Sequence, residues 1–355
     1  MSGLCREYGI SRPTGYVWLR RFQEEGIGGL EERSRRPKTS PGQTRPELEQ
    51  RIVDLRGERP DWGARKLAPL LEKEGTPLPV ITVHRVLGRH GLVLDPEGRR
   101  HATGRFERSA PNQLWQMDFK GYTASATGPL SVIDDHSRYV VALKQTGTTG
   151  MEAVRKVLEE AFQECGVPEA MLMDHGVPFW NNRSPNGWTR LRIWLMKQGV
   201  PCYFSGIRHP QTQGKVERFH GALQKARRRP DGHQWLSQLW LDRFRQEYNH
   251  LRPHEALDGS TPASVWKPSL RPYNPEPADW DYGPGAELRK VNREGDLWTN
   301  NRYWTVGEAL ASETVMLQRI DQRVLVYFRG ALVRQIDFNS QLSTPVDSWR
   351  PMPNV

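Results

Sequence analysis

Three acidic residues stand where a carboxylate is either costly or useful for chemistry. Asp118 lies inside the strand-like segment LWQMDF, where an ionised carboxylate is unfavourable unless it binds a cation or accepts hydrogen bonds. Asp174 ends the apolar segment MLMD, and the ligands of α/β sheets collect at the carboxyl ends of strands. Glu217 lies early in a helix predicted for QGKVERF. Taken alone, each acid is more often a helix cap or a partner in a surface ion pair.

Together, the three acids would have the chemistry of a divalent-metal site. Hard cations such as Mg²⁺ prefer oxygen ligands, and a paired-metal site needs few protein carboxylates. In such a site one ion activates water or a 3′-hydroxyl, and the other stabilises the leaving oxygen of a phosphodiester. If the fold brings these acids together, we expect two Mg²⁺ or Mn²⁺ ions.

Asp134 and Asp135, in the segment IDDHSRY, are rival ligands. Because adjacent residues of a regular strand point to opposite faces, the two cannot both face one metal site. We predict that they form a turn or are structural. For His209, His220 and His254 we predict local hydrogen bonds or DNA contacts, since none has the spacing of a zinc site.

The segments that carry these acids predict a mixed α/β sheet with flanking helices. Residues 114–122 and 130–147 are rich in apolar and β-branched residues and are separated by the turn-like TASATG, which predicts a strand hairpin. An amphipathic helix is predicted over 151–166, and strands then alternate with helices up to residue 229. A further helix near 233–250 closes this region.

Two helical segments precede the sheet. Residues 1–33 predict a helix-turn-helix, with Ser11 as an N-cap and Gly26 as a stop. A basic, Pro-rich linker over 34–46 follows, because its prolines cannot sustain a helix. The residues predicted to contact DNA from the helix after the turn are Arg12, Thr14, Tyr16 and Arg20.

A second helix-turn-helix module is predicted over residues 47–95, and a polar linker over 96–111. Near the carboxyl end, short alternating strands over 285–345 predict a small β-barrel. Within it, the Arg329-Gly330 corner favours a tight hairpin.

The composition favours a polyanionic partner. The 355 residues include 51 Lys and Arg against 41 Asp and Glu, a net charge of +10, and such an excess suits phosphate binding. No apolar run approaches the ~20 residues that a membrane-spanning helix requires, and the first residues lack a signal-peptide pattern. The distant cysteines, Cys5, Cys165 and Cys202, imply neither a disulfide framework nor a zinc site. We expect a modular cytoplasmic protein.

Five motifs occur in an order that resembles a known family. WQMDF, IDDHSRY, DHG, HPQTQGKVERFH and YNHLRPHEAL are similar to motifs of the integrase-core family, which includes bacterial insertion-sequence transposases and retroviral integrases. The resemblance covers about residues 112–268 and implies a catalytic core over 112–270 with a ribonuclease H-like fold. It also implies DNA strand transfer by Asp118, Asp174 and Glu217. By the same resemblance, the barrel over 285–345 is expected to bind DNA without sequence preference.

The sequence departs from the family pattern at two places. The interval between Asp174 and Glu217 is longer than usual, and the extra residues fit in the loop FWNNRSPNGW. His175 stands where many relatives have Asn, and we expect it to lie beside the metals without binding them. On the helix of Glu217, we predict that Lys215, Arg218 and Lys225 hold phosphates.

The resemblance also implies partners and a location. These are double-stranded DNA, as the terminal inverted repeats of a mobile element and as target DNA, and other copies of the chain on that DNA. The location would be the bacterial cytoplasm, in association with the nucleoid. Two alternatives stay open: a catalytically inactive DNA-binding regulator, and a structure-specific nuclease or ribonuclease H that cleaves without joining.

The start of the chain carries one further expectation. The first predicted helix begins almost at Met1 and has the position of the second helix in a three-helix unit. We expect either that the coding start lies further upstream or that the element has lost its first helix. Residues 1–32 should then be less stable than residues 47–94.

Overall fold

The structure is a computed structural model that describes most of the chain. The described residues are 1–33, 42–93, 107–121, 127–181, 184, 187–205 and 213–346. His209, parts of both predicted linkers and part of the loop FWNNRSPNGW lie outside them. The chain divides into two compact units, Met1–Arg45 and Pro46–Val355, and each is described by itself. No helix in the described ranges is long and apolar enough to span a bilayer.

The first unit contains two helices around a turn, as the sequence predicts. They are α1 (Ser2–Glu7) and α2 (Arg12–Glu25), followed by a 3-10 turn at Gly26–Leu30. The hydroxyl of Ser11 accepts a hydrogen bond from the backbone N–H of Thr14 and so caps α2. Gly26 ends the helix with a φ of 64°, a conformation that favours glycine.

The second unit begins with a module of three helices. They are α3 (Pro46–Glu58), α4 (Ala64–Lys73) and α5 (Val80–Arg89). Apolar residues repeat along one face of each helix, so that the three helices bury a common core. The largest contributors to this core are Ile52, Leu55, Trp62, Leu67, Leu71, Val83 and Val86.

The middle of the second unit is a five-stranded sheet flanked by helices. Its elements are β1 (Trp115–Phe119), β2 (Leu130–Asp134), β3 (Val140–Lys144), α6 (Met151–Cys165), β4 (Met171–Met173), α7 (Arg190–Lys197), β5 (Cys202–Phe204), α8 (Gly214–Ala226), α9 (Gln238–His250) and α10 (Pro262–Val265). The strand order is β3-β2-β1-β4-β5. Strands β1 to β3 are antiparallel, while β4 and β5 run parallel to β1. This is the ribonuclease H-like arrangement that the resemblance implied.

Side chains alternate between the two faces of the sheet along each strand, and this alternation decides which helices cover each face. On β2, Val132 packs with the cluster that contains α6 and α7, whereas its neighbour Ile133 packs with α8 and α9. Because successive strand residues point to opposite faces, these apolar strands are buried on both sides. Helix α8 therefore lies directly on β1 and β2.

The carboxyl-terminal region forms an open sheet, and the predicted closed barrel is not confirmed. Its strands are β6 (Glu287–Lys290), β7 (Asp296–Thr299), β8 (Arg302–Thr305), β9 (Thr314–Ile320), β10 (Arg323–Phe328), β11 (Ala331–Asp337) and β12 (Leu342–Pro345). Five strands pair in the order β12-β11-β10-β9-β6, and β7 pairs with β8. Among the described strands, the short edges β6 and β12 do not pair with each other.

A physical reason for the open sheet lies in what covers its apolar face. Leu297 and Trp304 of the β7–β8 hairpin pack on that face, as do Trp188 and Ile193 of the ribonuclease H-like core. Because other elements bury the apolar side chains, the sheet need not close on itself. The hairpin at Arg329 and Gly330 is present, with positive φ at both residues, as a type I′ turn requires.

Candidate active site

Asp118 and Asp174 lie on neighbouring strands of the core sheet. Asp118 is on β1, opposite Ser131 of β2, and its side chain is 21% exposed. Asp174 directly follows β4, which pairs in parallel with β1. An oxygen of the Asp174 carboxylate accepts a 2.9 Å hydrogen bond from the backbone N–H of Gly176. Both acids therefore belong to the edge where the parallel strands β1 and β4 end.

Glu217 is brought to the same edge by α8. It lies in the first turn of that helix and is exposed. Burial first, and then the negative charges of Asp174 and Glu217, raise the pKa of Asp118 to about 7. The three predicted acids are therefore close enough for their charges to interact.

The donor chemistry at this edge fits a hard divalent cation. The three side chains offer only carboxylate oxygens, and a cation would offset the repulsion that raises the pKa of Asp118. Within the described part of the chain, however, no three Asp, Glu, His or Cys side chains converge closely enough to hold an ion as they stand.

His220 contacts Asp118, which the sequence does not indicate. Its Nδ1 lies 3.7 Å from Oδ2 of Asp118, and its Nε2 lies 3.0 Å from the hydroxyl oxygen of Ser131. Burial first, and then the charge of Lys120, lower the pKa of His220 to about 3, so the ring is neutral. His220 therefore forms a hydrogen bond, as predicted, but not a local one, because its partner Ser131 is distant in sequence. The available signal was the position of His220 one helical turn beyond Glu217.

His175 directly follows Asp174 and packs among aromatic rings. Its ring centroid lies 4.5 Å from that of Trp180 and 5.6 Å from that of Phe204. Burial lowers the pKa of His175, and the charge of Asp174 opposes this shift. Ring packing thus fixes this side chain beside Asp174.

The two rival acids have different surroundings: Asp134 is the last residue of β2, and Asp135 lies in the turn that follows. Asp134 accepts hydrogen bonds from the backbone N–H and the hydroxyl of Ser137, at 2.7 and 2.6 Å, and from the N–H of Asn112 at 2.7 Å. Asp134 therefore forms the turn after β2. Asp135 instead pairs with Lys215, whose Nζ lies 2.6 Å from its Oδ2.

Lys215 is placed differently from the other basic residues predicted to contact DNA. Its side chain is only 11% exposed, and that of Asp135 is fully buried. Burial lowers the pKa of Lys215 to about 8, while the charge of Asp135 opposes the shift. Arg218 and Lys225, also on α8, are exposed.

The residues predicted to contact DNA from the first unit all lie on α2. Arg12, Thr14, Tyr16 and Arg20 are exposed there. The hydroxyl of Thr14 also lies 2.7 Å from that of Ser11, so it takes part in the cap of the helix.

Family models match three stretches of the chain. A homeodomain-like domain matches residues 14–87, and integrase core domain models match residues 108–210 and 198–262. The chain is also similar to an uncharacterized 31.7 kDa protein of insertion element IS407 from Burkholderia multivorans. The two are 29% identical over 232 residues, which are 61% of this chain and 79% of that protein. Residues 108–262 of the chain thus match the integrase core family.

Other relatives of this chain come from mobile elements and retroviruses. It is 24% identical over 255 residues to the transposase for transposon Tn552 from Staphylococcus aureus, covering 62% of this chain and 51% of that protein. It is 28% identical over 172 residues to the Gag-Pol polyprotein of Koala retrovirus, covering 45% of this chain and 10% of the polyprotein. The chain thus spans about half of the Tn552 transposase and a small part of the retroviral polyprotein.

Among solved structures, the chain is similar to the HTLV-2 integrase catalytic core domain in complex with magnesium. The identity is 16% and the TM-score 0.35, with 44% of this chain and 97% of that chain covered. It is also similar to a simian T-cell lymphotropic virus intasome chain, with 15% identity, a TM-score of 0.41, and coverage of 83% and 98%.

Proposed function

We propose that this protein is a transposase that cleaves DNA at the ends of a mobile element and joins those ends to target DNA. The observation that carries the proposal is the electrostatic coupling of Asp118 to Asp174 and Glu217 at one edge of a ribonuclease H-like sheet. The match of residues 108–262 to integrase core domain models supports the same reaction class. The relatives from IS407 and Tn552 support the mobile-element substrate.

In the proposed reaction, Asp118, Asp174 and Glu217 hold two Mg²⁺ or Mn²⁺ ions. Such ions, when bound, activate the attacking hydroxyl and stabilise the leaving oxygen of the phosphodiester. The protein positions the carboxylates: the N–H of Gly176 orients Asp174, and the neutral ring of His220 lies against Asp118. Because His220 is neutral, it leaves the negative charge of the ionised Asp118 available for a cation.

The proposed DNA contacts are divided among the parts of the chain. The helical segments before residue 95 would read the terminal inverted repeats, with Arg12, Thr14, Tyr16 and Arg20 on α2. Arg218 and Lys225 would hold phosphates near the metals, and the carboxyl-terminal sheet would bind duplex DNA without preference. The net charge of +10 suits this partner. Other copies of the chain would assemble on the paired ends.

An assay with three possible products tests the proposal. The purified full chain is incubated with labelled element ends, a target plasmid, and Mg²⁺ or Mn²⁺. We expect joined products. Cleavage without joining would favour a nuclease, and binding without chemistry would favour an inactive regulator.

A further inference from the structure

Asp135 is a fully buried carboxylate that three separate segments contact. Lys215 of α8 pairs with it at 2.6 Å, and the side-chain amide of Gln116 on β1 donates to its Oδ1 at 2.8 Å. The backbone N–H of Arg108 donates to its Oδ2 at 2.8 Å. Because a buried charge is unfavourable unless paired and hydrogen-bonded, these contacts hold their geometry strongly.

The same contacts reach the amino-terminal end of α8. The first N–H groups of a helix have no partner within the helix, and α8 has no side-chain cap from Gln213. Gln116 supplies one partner, because its Oε1 accepts a 3.3 Å hydrogen bond from the N–H of Val216. Thus β1 caps α8, and Asp135 orients the Gln116 amide that does so.

These contacts adjoin both strand and helix members of the proposed active site. Gln116 precedes Asp118 by two positions on β1, so their side chains leave the strand on the same face. Lys215 and Val216 immediately precede Glu217 on α8. A displacement of the helix end would therefore displace Glu217 from Asp118.

We propose that Asp135 is a positioning residue for the reaction. It fixes the first turn of α8 to β1 through Lys215 and Gln116, and so holds Glu217 opposite Asp118. This inference rests on the proposed function. It also gives Lys215 the role of an internal counter-ion.

The test compares Asp135→Asn with Asp134→Asn, two neighbouring substitutions of the same chemistry. Asp134 is equally buried, but its carboxylate accepts hydrogen bonds from Ser137 and Asn112, whereas Lys215 pairs with Asp135. In the metal-free full chain, hydrogen exchange is measured across residues 213–219. We expect Asp135→Asn to accelerate exchange there about ten-fold, the effect of losing one hydrogen bond to a charged group. Asp134→Asn should leave exchange of this segment unchanged.

A second measurement separates positioning from general damage. We expect Asp135→Asn to raise the Mg²⁺ concentration for half-maximal strand transfer about ten-fold with an unchanged KM for DNA, because Mg²⁺ requires well-placed oxygen ligands. Asp134→Asn should lower the melting temperature without this shift. If Asp135→Asn does not fold, Lys215→Met removes the other partner of the ion pair and should give the same two shifts.

Two results would overturn the inference. One is unchanged exchange at residues 213–219 in folded Asp135→Asn or Lys215→Met. The other is an equal shift in the Mg²⁺ response of Asp134→Asn. The exchange measurement needs no catalysis. If the wild-type protein joins no DNA, the proposed function is refuted, but the exchange rates at residues 213–219 still test whether Asp135 holds the start of α8.

Discussion

At the scale of single residues, the negative charges of two other carboxylates, Asp174 and Glu217, act on the partly buried Asp118. If these acids hold the metals while other parts of the chain hold DNA, Asp118→Asn, Asp174→Asn and Glu217→Gln should each abolish strand transfer. Binding to element ends should stay nearly intact. Joining is measured with labelled ends, and binding by mobility shift.

Asp242→Asn is a suitable control for this series, because Asp242 is exposed on α9. It should join DNA at the wild-type rate. Measurable joining by any one of the three variants would remove that acid from the proposed site.

Gly176 determines how close the backbone approaches the Asp174 carboxylate. A Cβ added at Gly176 would lie 3.0 and 3.1 Å from the two carboxylate oxygens, so the carboxylate would have to move by a few tenths of an ångström. A misplacement of a reacting group by about 1 Å lowers the reaction rate about 100-fold. For this smaller shift, Gly176→Ala should slow strand transfer about ten-fold with an unchanged melting temperature.

Gly57 provides the matched comparison, because a Cβ added there meets nothing within 4 Å. Gly57→Ala should leave the rate of strand transfer unchanged. A wild-type rate for Gly176→Ala would mean that the observed position of the Asp174 carboxylate is not needed.

The sequence predicts single residues well where local pattern decides, and poorly where distant segments meet. Asp118 on a strand, Asp174 at a strand end and the turn at Asp134 follow from periodicity and turn chemistry. The pair between Lys215 and Asp135 does not, because nothing local to either residue identifies its partner. From the sequence, Lys215 had the appearance of a basic residue on an exposed helix.

At the scale of elements, the two amino-terminal helical segments differ in what they bury. In α1 and α2, the buried residues are only Cys5 and Gly15, while Tyr8 is 72% exposed and Phe22 48% exposed. Helices α3 to α5 instead enclose fully buried side chains such as Trp62. A fully buried large apolar side chain contributes about 1.5–3 kcal/mol to folding, so the first segment should open more readily.

We therefore expect limited proteolysis of the DNA-free chain to cut within residues 1–33 before it cuts within residues 46–93. Mass spectrometry of early fragments would locate the cuts. Equal resistance of both segments would contradict this prediction.

The helices and strands are largely predictable from the sequence, whereas whether the carboxyl-terminal sheet closes into a barrel is not. Hydrophobic periodicity locates the helices and the alternating strands, including the hairpin at Arg329 and Gly330. The expected barrel fails because closure depends on what covers the apolar face. Trp188 and Ile193, far away in sequence, take that place.

At the scale of the whole molecule, a buried ion-pair cluster joins the α3–α5 module to the core within the second unit. Arg229, just beyond α8, donates to Asp61 at 2.8 Å and to Glu247 of α9 at 2.7 Å. The side chains of Arg229 and Asp61 are only 9% and 3% exposed. Arg252 and Arg59 lie at the margin, 3.8 Å from Asp61 and 3.9 Å from Glu247.

Arg229→Met should destabilise the protein by about 3 kcal/mol, because it leaves buried carboxylates with weaker partners. The expected loss is near the low end for a broken buried pair, since Arg252 and Arg59 remain nearby. Urea unfolding measures it. The control is Arg243→Met, which removes a 4.0 Å pair whose Arg side chain is 57% exposed and should change stability by less than about 1 kcal/mol. Similar losses of stability in both variants would contradict the prediction that the buried pairs of Arg229 stabilise the protein more than an exposed pair does.

Helix α8 is thus held at both ends, by Lys215 at its start and by Arg229 just beyond its last turn. The number of residues between Lys215 and Arg229 is therefore fixed by the need to keep both ion pairs. One inserted residue would rotate one end against the other by about 100° and lengthen the helix by about 1.5 Å. Either buried ion pair would then have to break. Insertions and deletions that this protein can tolerate should therefore fall in its loops, and the interval from residue 215 to residue 229 should not change in length.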